Sequence, residues 1–201
     1  MNREGFTWIE AHQKIADYLS DHRNDQPGII KLLRDLDITA LNDRDENDQI
    51  IDLTNIDPFT FFCYLYKHGQ DKNLANLQRL SDRLGITPRP TDIQGLPSAN
   101  AQKVWLFPYK KTRKNNEVAR LWAFFDALRS DTITEELFTD VLEIKNVGLI
   151  KLTEALFMVE PEKYLPIDGP VRPWLITQLG IDTNFKAWIE YRNLLDTIRS
   201  K

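Results

Sequence analysis

Two groups of residues in this chain could carry chemistry, and the first is the tight turn Asn146-Val147-Gly148 between two helix-like runs. We expect Gly148 to take up positive φ in this turn, because glycine adopts that conformation without steric cost. The backbone N–H groups that start the next helix would then lie uncovered at the positive end of its dipole, where phosphate binds. Together with the nearby Lys151, these residues predict a grip on DNA phosphates.

The same segment also has a purely structural interpretation. A Val-Gly turn is common between two amphipathic helices. Asp168, which precedes Gly169-Pro170, is typical of a helix N-cap followed by a first-turn proline. Both interpretations stay open on the sequence.

The second group is a basic, aromatic segment ahead of residue 115. Trp105, Phe107 and Tyr109 would share one face of an extended backbone. Rings on one face beside cations are typical of proteins that stack bases, at ~1–3 kcal/mol per base. The alternatives are rings packed on the core and cations on a solvated loop. The cations assigned to a phosphate-binding patch are Lys103, Lys110, Lys111, Arg113 and Lys114.

A metal site is not predicted. The spacing Asp43-x-Asp45-x-Asn47 copies the start of a calcium-binding loop, but Asp48 stands where that loop needs glycine and Thr54 where it needs glutamate. We therefore expect a solvated acidic loop.

Catalytic motifs are also missing from the sequence. It contains no Ser/His/Asp order, no Walker loop and no dinucleotide fingerprint. We therefore expect a binding protein rather than an enzyme, with no cofactor.

Composition indicates a soluble globular chain. Its 201 residues are 42% hydrophobic and 28% charged, enough for one sizeable core or two small ones. The net charge of −4 argues against attraction of nucleic acid by the whole surface, so a DNA site would be a local patch. The single Cys63 excludes an internal disulfide. Without a membrane-length apolar run or a signal peptide, we expect a cytoplasmic protein with no membrane partner.

Helix signals dominate and predict a mainly-α fold with a two-lobed body. Capping boxes are expected at Thr7 and Thr132, and hairpin dipeptides are absent. Residues 86–114 hold four of the ten prolines and no helical period, which predicts a long irregular arm with room for one short strand. We expect an N-terminal lobe over residues 1–114, including the arm. A C-terminal lobe would follow over 115–201, with a helix-hairpin-helix-like turn at 145–149.

Residues 141–180 resemble the helix-hairpin-helix DNA glycosylase superfamily. In that family a Val-Gly turn is followed, after one helix and a short connection, by an aspartate that starts another helix. Gly148 and Asp168 match this pattern, twenty positions apart. The resemblance implies a grip on the DNA backbone and, in its strongest form, base excision that uses Asp168.

Three residues depart from the glycosylase pattern. Asn146 stands where the hairpin usually carries its first glycine. Ile150 stands where bifunctional members carry a Schiff-base lysine, and Lys151 follows one position late. These departures put base excision in doubt, but the helix-hairpin-helix shape that the resemblance implies does not depend on them.

A wider resemblance covers about residues 56–180. The segments IDPFTFFCYLY (56–66), LQRLSDRLGI (77–86), PTDIQGLPSANAQKVWLFPYKKTRKNNEVARLWAFFDAL (90–128) and KNVGLIKLTEALFMVEPEKYLPID (145–168) resemble the N-terminal region of McrB-type AAA+ proteins. Those proteins are motor subunits of modification-dependent restriction and phage-defence systems. The resemblance implies the front region of such a protein or a stand-alone relative.

Three functions follow in order. The first is a non-catalytic DNA-binding or target-sensing module, acting on duplex DNA that can carry modified bases. The second is a protein-interaction scaffold that docks an AAA+ motor or a nuclease subunit. The third is a glycosylase-like enzyme that uses Asp168.

Overall fold

The computed structural model describes residues 5–99 and 104–201. Within them the mainly-α class is confirmed, with nine α-helices, one 3-10 helix at Lys110–Thr112 and a two-stranded hairpin. The elements are, in chain order, α1 (Trp8–Asp21), α2 (Gln26–Asp35), β1 (Asn42–Arg44), β2 (Ile50–Asp52), α3 (Pro58–Leu65), α4 (Gln70–Leu84), α5 (Glu117–Arg129), α6 (Glu135–Leu142), α7 (Leu149–Val159), α8 (Val171–Leu179) and α9 (Trp188–Arg199).

Local sequence signals position several helix ends. Asp25 starts α2, and its Oδ1 accepts a hydrogen bond from Gly28 N at 3.0 Å. Asp57 starts α3 in the same way and accepts from Thr60 N at 2.9 Å. Such a cap contributes about 1 kcal/mol because it satisfies an N–H group that has no partner within the helix. Gly85 ends α4 with a left-handed φ of 65°, as its position after the last apolar residue predicts.

Both predicted capping boxes differ in the structure. Thr7 is the N-cap of α1, but its hydroxyl donates to Asp92 Oδ2 at 2.6 Å and caps nothing. The N-cap of α6 is Thr134 and not Thr132, because Thr132 belongs to the turn that closes α5. Glu135 instead accepts hydrogen bonds at 3.0 and 3.2 Å from the first N–H groups of α9. The side chains of Thr7 and Glu135 thus bind residues that are distant in the sequence and do not cap their own helices.

The helices enclose one continuous apolar core that includes residues from both predicted lobes and from the arm. Helix α3 lies at its centre, buried along its whole length, and packs against α4, α5 and α7. Its three phenylalanines, Phe59, Phe61 and Phe62, are fully buried, which stabilises the fold by about 1.5–3 kcal/mol each relative to exposure. The arm joins this core through Leu106 and Phe107.

Residues 41–53 form a hairpin where a solvated acidic loop was expected. β1 and β2 pair antiparallel, with Asn42 opposite Asp52. In the turn between them Asp48 has a φ of 64°, and Asp45 Oδ1 accepts two backbone N–H hydrogen bonds at 3.0 and 2.9 Å. This aspartate-based turn replaces the glycine dipeptide that usually marks a hairpin. Asp43 is only 2% exposed, so the expectation of solvation is wrong at that position.

No α-helix within residues 5–99 and 104–201 is both long enough and apolar enough to cross a bilayer. Over the same residues, histidine, cysteine and carboxylate side chains form no group of three that could hold a metal ion. Cys63 is buried in α3, and burial raises the pKa of its thiol to about 12, so the thiol stays protonated near neutral pH.

Candidate nucleic-acid interface

The β1–β2 hairpin neutralises part of the predicted basic patch. Lys111 Nζ lies 2.6 Å from Asp48 Oδ1, and the Arg113 guanidinium forms an ion pair with Asp43. Asp43 Oδ1 also accepts a hydrogen bond from the backbone N–H of Lys110 at 2.8 Å. Two of the predicted phosphate-binding cations therefore already hold carboxylates.

The other cations of the patch have different positions. The side chains of Lys110 and Lys114 are exposed. Lys103 lies outside the residues that the structure describes. The arm therefore keeps part of its predicted charge, at Lys110 and Lys114.

The three rings of the arm pack on one another. Phe107 is 1% exposed, and its ring centroid lies 4.8 Å from that of the half-buried Trp105. The ring centroid of Tyr109 lies 5.2 Å from that of Trp105, and Tyr109 is 44% exposed. The indole N–H of Trp105 donates to the Tyr64 hydroxyl, and Arg44 lies over the Tyr109 ring. The geometry favours the core-packing interpretation for Phe107, and Tyr109 is the most exposed of the three rings.

The turn between α6 and α7 has a different backbone from the one expected. Asn146 has the positive φ, at 85°, whereas Gly148 is extended, with φ −130° and ψ 164°. The expectation of positive φ at Gly148 is therefore wrong. Asparagine tolerates the left-handed region, and Gly148 is the N-cap of α7, a position that needs extended backbone. Val147 is 9% exposed and anchors the turn in the core.

Because its N-cap is Gly148, α7 begins without a side-chain cap. Gly148 is exposed, and a Cβ built on it meets no atom within 4 Å. The starts of α2, α3 and α6 are capped by Asp25, Asp57 and Thr134. At α7 the first N–H groups and the positive end of the helix dipole stay available to an anion.

The start of α7 opens onto a cavity of about 550 Å³, which we call the α7 cleft. Its wall brings together Leu149 and Ile150 from α7, Arg172 from α8, and Lys186 and Glu190 near the start of α9. The cations and the helix dipole therefore share one cavity.

The charges of the α7 cleft favour an anion. Arg172 is held by neutral acceptors, with Nε 3.2 Å from Thr183 Oγ1 and Nη2 3.3 Å from Asn184 Oδ1, so its charge is not neutralised by them. Glu190 is turned onto the backbone, where its Oε2 accepts from Lys186 N at 2.7 Å and Ala187 N at 3.2 Å. The carboxylate of the cleft is thus engaged as a helix cap.

Lys151 and Asp168 both have structural partners. Lys151 donates from Nζ to the carbonyl of Trp105 and so ties α7 to the arm. Asp168 Oδ1 accepts from Val171 N, the first residue of α8, at 2.9 Å. The N-cap of α8 is Pro170, where the structural interpretation expected Asp168. Asp168 is 9% exposed. The carboxylate that the glycosylase resemblance assigns to base excision therefore accepts a backbone hydrogen bond at the start of α8.

Glu154, which sequence reasoning missed, lies in the electrostatic field of these two residues. The pKa of Glu154 is raised to about 7, chiefly by burial and also by the negative charge of Asp168, while Lys151 partly opposes both effects. Its position three residues after Lys151, on one face of α7, was the available signal. Glu154 is therefore partly protonated near neutral pH.

Arg172 and Lys186 were also missed, because nothing in their local sequence separates them from ordinary surface cations. Only the tertiary structure, which places α8 and the segment before α9 around the same cavity as the start of α7, brings them there. For a phosphate contact this cleft is therefore a better candidate than Lys111 and Arg113 of the arm, which are paired with carboxylates.

No curated protein and no solved structure matches this chain. A family model described as "Domain of unknown function (DUF8425)" matches residues 8–201. The match includes the arm, the turn and the α7 cleft, and the chain belongs to this family.

Proposed function

We propose that this chain is a non-catalytic DNA-binding module that holds a backbone phosphate at the start of α7. The observation that carries the proposal is the uncapped N-terminus of α7 at a cleft that also contains Arg172 and Lys186. Backbone N–H groups, a helix dipole and two cations are the usual means by which proteins bind phosphate.

Two further points support DNA as the source of the phosphate. The net charge of −4 requires a local site, and the α7 cleft is local. The turn that precedes α7 also lies in the segment that resembles helix-hairpin-helix and McrB-type proteins. Reading of modified bases, as part of a restriction system, is the role that this resemblance supports.

A second candidate function is docking of a protein subunit, such as an AAA+ motor or a nuclease. Three large apolar side chains favour it: Trp174 and Ile176 on α8 are 54% and 53% exposed, and Ile189 on α9 is 59% exposed. A contiguous patch formed by such side chains is typical of a protein contact. This function would leave DNA affinity low at every salt concentration.

The test is the variant Gly148→Asp. The extended backbone and the open space at Gly148 accept an aspartate, which would cap α7 and place a negative charge at the proposed phosphate site. We expect the variant to stay folded and its affinity for duplex DNA to fall about tenfold or more, because like charges repel. Fluorescence anisotropy with plain, methylated and hydroxymethylated duplexes across a salt series measures this change.

The matched control is Gly69→Asp at the start of α4. Gly69 is also an N-cap with extended backbone, at φ −71° and ψ 162°, and a Cβ there meets no atom within 4 Å. We expect this variant to bind DNA as the unchanged protein does. Equal loss in both variants, or no salt-dependent binding by the unchanged protein, would overturn the proposal.

A further inference from the structure

A second cavity, of about 430 Å³, lies at the start of α5, and we call it the α5 cleft. Val118 and Ala119 from the first turn of α5 lie in its wall, and the N-cap Asn116 makes no side-chain cap. Arg113 and Lys114 lie in the same wall. The helix dipole and Lys114 make this end of the cleft favourable for an anion, whereas Arg113 is already ion-paired with Asp43.

Glu117 gives the α5 cleft an acceptor as well. Glu117 is one of the residues in the wall of the cleft and is 6% exposed. Oε1 accepts from Lys114 N at 2.9 Å and Asn115 N at 3.3 Å. Oε2 is buried and has no hydrogen-bond partner within the described residues. A buried acceptor without a donor carries a free-energy cost that a donor on a ligand would remove.

The charge state of Glu117 follows from its neighbours. Burial by itself would raise the pKa of Glu117, but backbone N–H donors, chiefly that of Lys114, and the charge of Arg120 hold it below its usual range. The carboxylate is therefore ionised near neutral pH, and an ionised oxygen is a strong acceptor.

The composition of the α5 cleft narrows the ligand class. Arg23, Arg113 and Lys114 disfavour a cationic ligand. Arg23 and Arg113 are ion-paired with Asp126 and Asp43, so Lys114, whose side chain is exposed, is the cation best able to meet a ligand. A fitting molecule carries an anionic group and, separate from it, a neutral hydrogen-bond donor.

We propose that the α5 cleft binds a phosphorylated sugar, either free or as the ribose of a nucleotide. The phosphate lies against the first turn of α5 and Lys114, and a sugar hydroxyl donates to Oε2 of Glu117. The cavity volume of about 430 Å³ falls within the range of ordinary small-molecule sites. The site is separate from the α7 cleft, and its test does not use DNA.

The first measurement is isothermal titration calorimetry with ribose 5-phosphate, AMP and inorganic phosphate. We expect at least one of the two sugar-containing ligands to bind about tenfold more tightly than phosphate alone, because only they carry a hydroxyl outside the phosphate group that can donate to Glu117 while the phosphate contacts the start of α5. The tighter of the two identifies the nucleotide or the free sugar phosphate as the source. Phosphate binding as tightly as both, or no binding of any ligand, would overturn the proposal.

The second measurement uses Glu117→Gln, which keeps the shape of the side chain and removes its charge. Affinity for ribose 5-phosphate should fall about tenfold, whereas affinity for inorganic phosphate should not fall. An equal loss for both ligands would mean that Glu117 only supports the fold, and would contradict the assigned contact.

Because Glu117 also holds the backbone N–H groups of Lys114 and Asn115, a variant with an exposed side chain keeps the proposal testable if Glu117→Gln does not fold. Lys114→Glu should weaken all three ligands about tenfold or more, because it places a negative charge beside the phosphate. Lys72→Glu, on the exposed surface of α4, makes the same change of charge and should leave binding unaltered. Equal effects of the two substitutions would count against the α5 cleft.

Discussion

Asp43 and Arg113 form an ion pair that fastens the β1–β2 hairpin to the arm, across 70 positions of the chain. The side chain of Asp43 is 2% exposed and that of Arg113 is 16% exposed. Arg113 also donates to the carbonyl of Pro108 at 3.0 Å and lies over the Phe107 ring. One of the cations predicted to meet DNA is thus a fixed part of the fold.

Loss of this pair should destabilise the protein. Asp43→Asn leaves the Arg113 guanidinium without its counter-charge in a poorly solvated position, and we expect the free energy of unfolding to fall by about 3 kcal/mol. Urea denaturation measures the change. Asp52→Asn on the same hairpin is the control, because its carboxylate is 80% exposed and 3.5 Å from Arg34, where an ion pair contributes at most about 1 kcal/mol. Equal losses would show that the buried pair has no special role.

The salt dependence of DNA binding should distinguish the α7 cleft from the arm. A single phosphate contact contributes about 0.9 to the slope of log affinity against log salt concentration. Lys186→Gln should therefore reduce the slope by about one. Lys111→Gln should leave it unchanged, because Asp48 already holds that side chain. The opposite result would place the phosphate contact on the arm.

Glu154 should make stability fall as pH rises. Its pKa is about 7 in the folded chain, against an ordinary value of 4.5, so the folded state binds more protons than the unfolded state between these values. The contribution of protonated Glu154 to stability is fully present below about pH 4.5 and is lost as the pH rises through 7. Glu154→Gln should therefore gain stability relative to the unchanged protein between pH 5 and pH 8. Urea midpoints that shift equally at both pH values would contradict this prediction.

His12 should show the opposite pH dependence. Burial lowers the pKa of His12 to about 4, and a hydrogen bond to the carbonyl of Met158 partly opposes this effect. The contribution of neutral His12 to stability is fully present above about pH 6.5, the pKa of the histidine in the unfolded chain. It is lost as the pH falls through 4, the pKa in the folded chain. His12 Nδ1 lies 2.6 Å from that carbonyl, so it carries the proton, and Nε2 accepts from the Tyr66 hydroxyl. Nitrogen-15 NMR should show a neutral ring with a proton on Nδ1 at pH 6. A ring that titrates between pH 6 and 7 would contradict the buried network.

Local signals in the sequence determined most of the helices. Asp25 and Asp57 cap helices, and Gly85 ends one, because each acts within a few residues of its own position. Apolar periodicity likewise depends only on which residues share a helix face, and it determined the mainly-α class. The position of the turn before α7 was predictable because the two apolar helix patterns on either side of it are also local.

Only the tertiary structure decided which groups face each other. Thr7 does not cap α1 but donates a hydrogen bond to Asp92, 85 positions away. Lys111 of the arm binds Asp48, 63 positions away. Arg172 of α8 and Lys186, which precedes α9, line the same cavity as the start of α7 only in the folded chain. Side-chain partners depend on competition among all nearby donors and charges after packing, and local spacing contains no information about that competition. The sequence by itself therefore determined the helices, and packing decided which cations remain available to a phosphate.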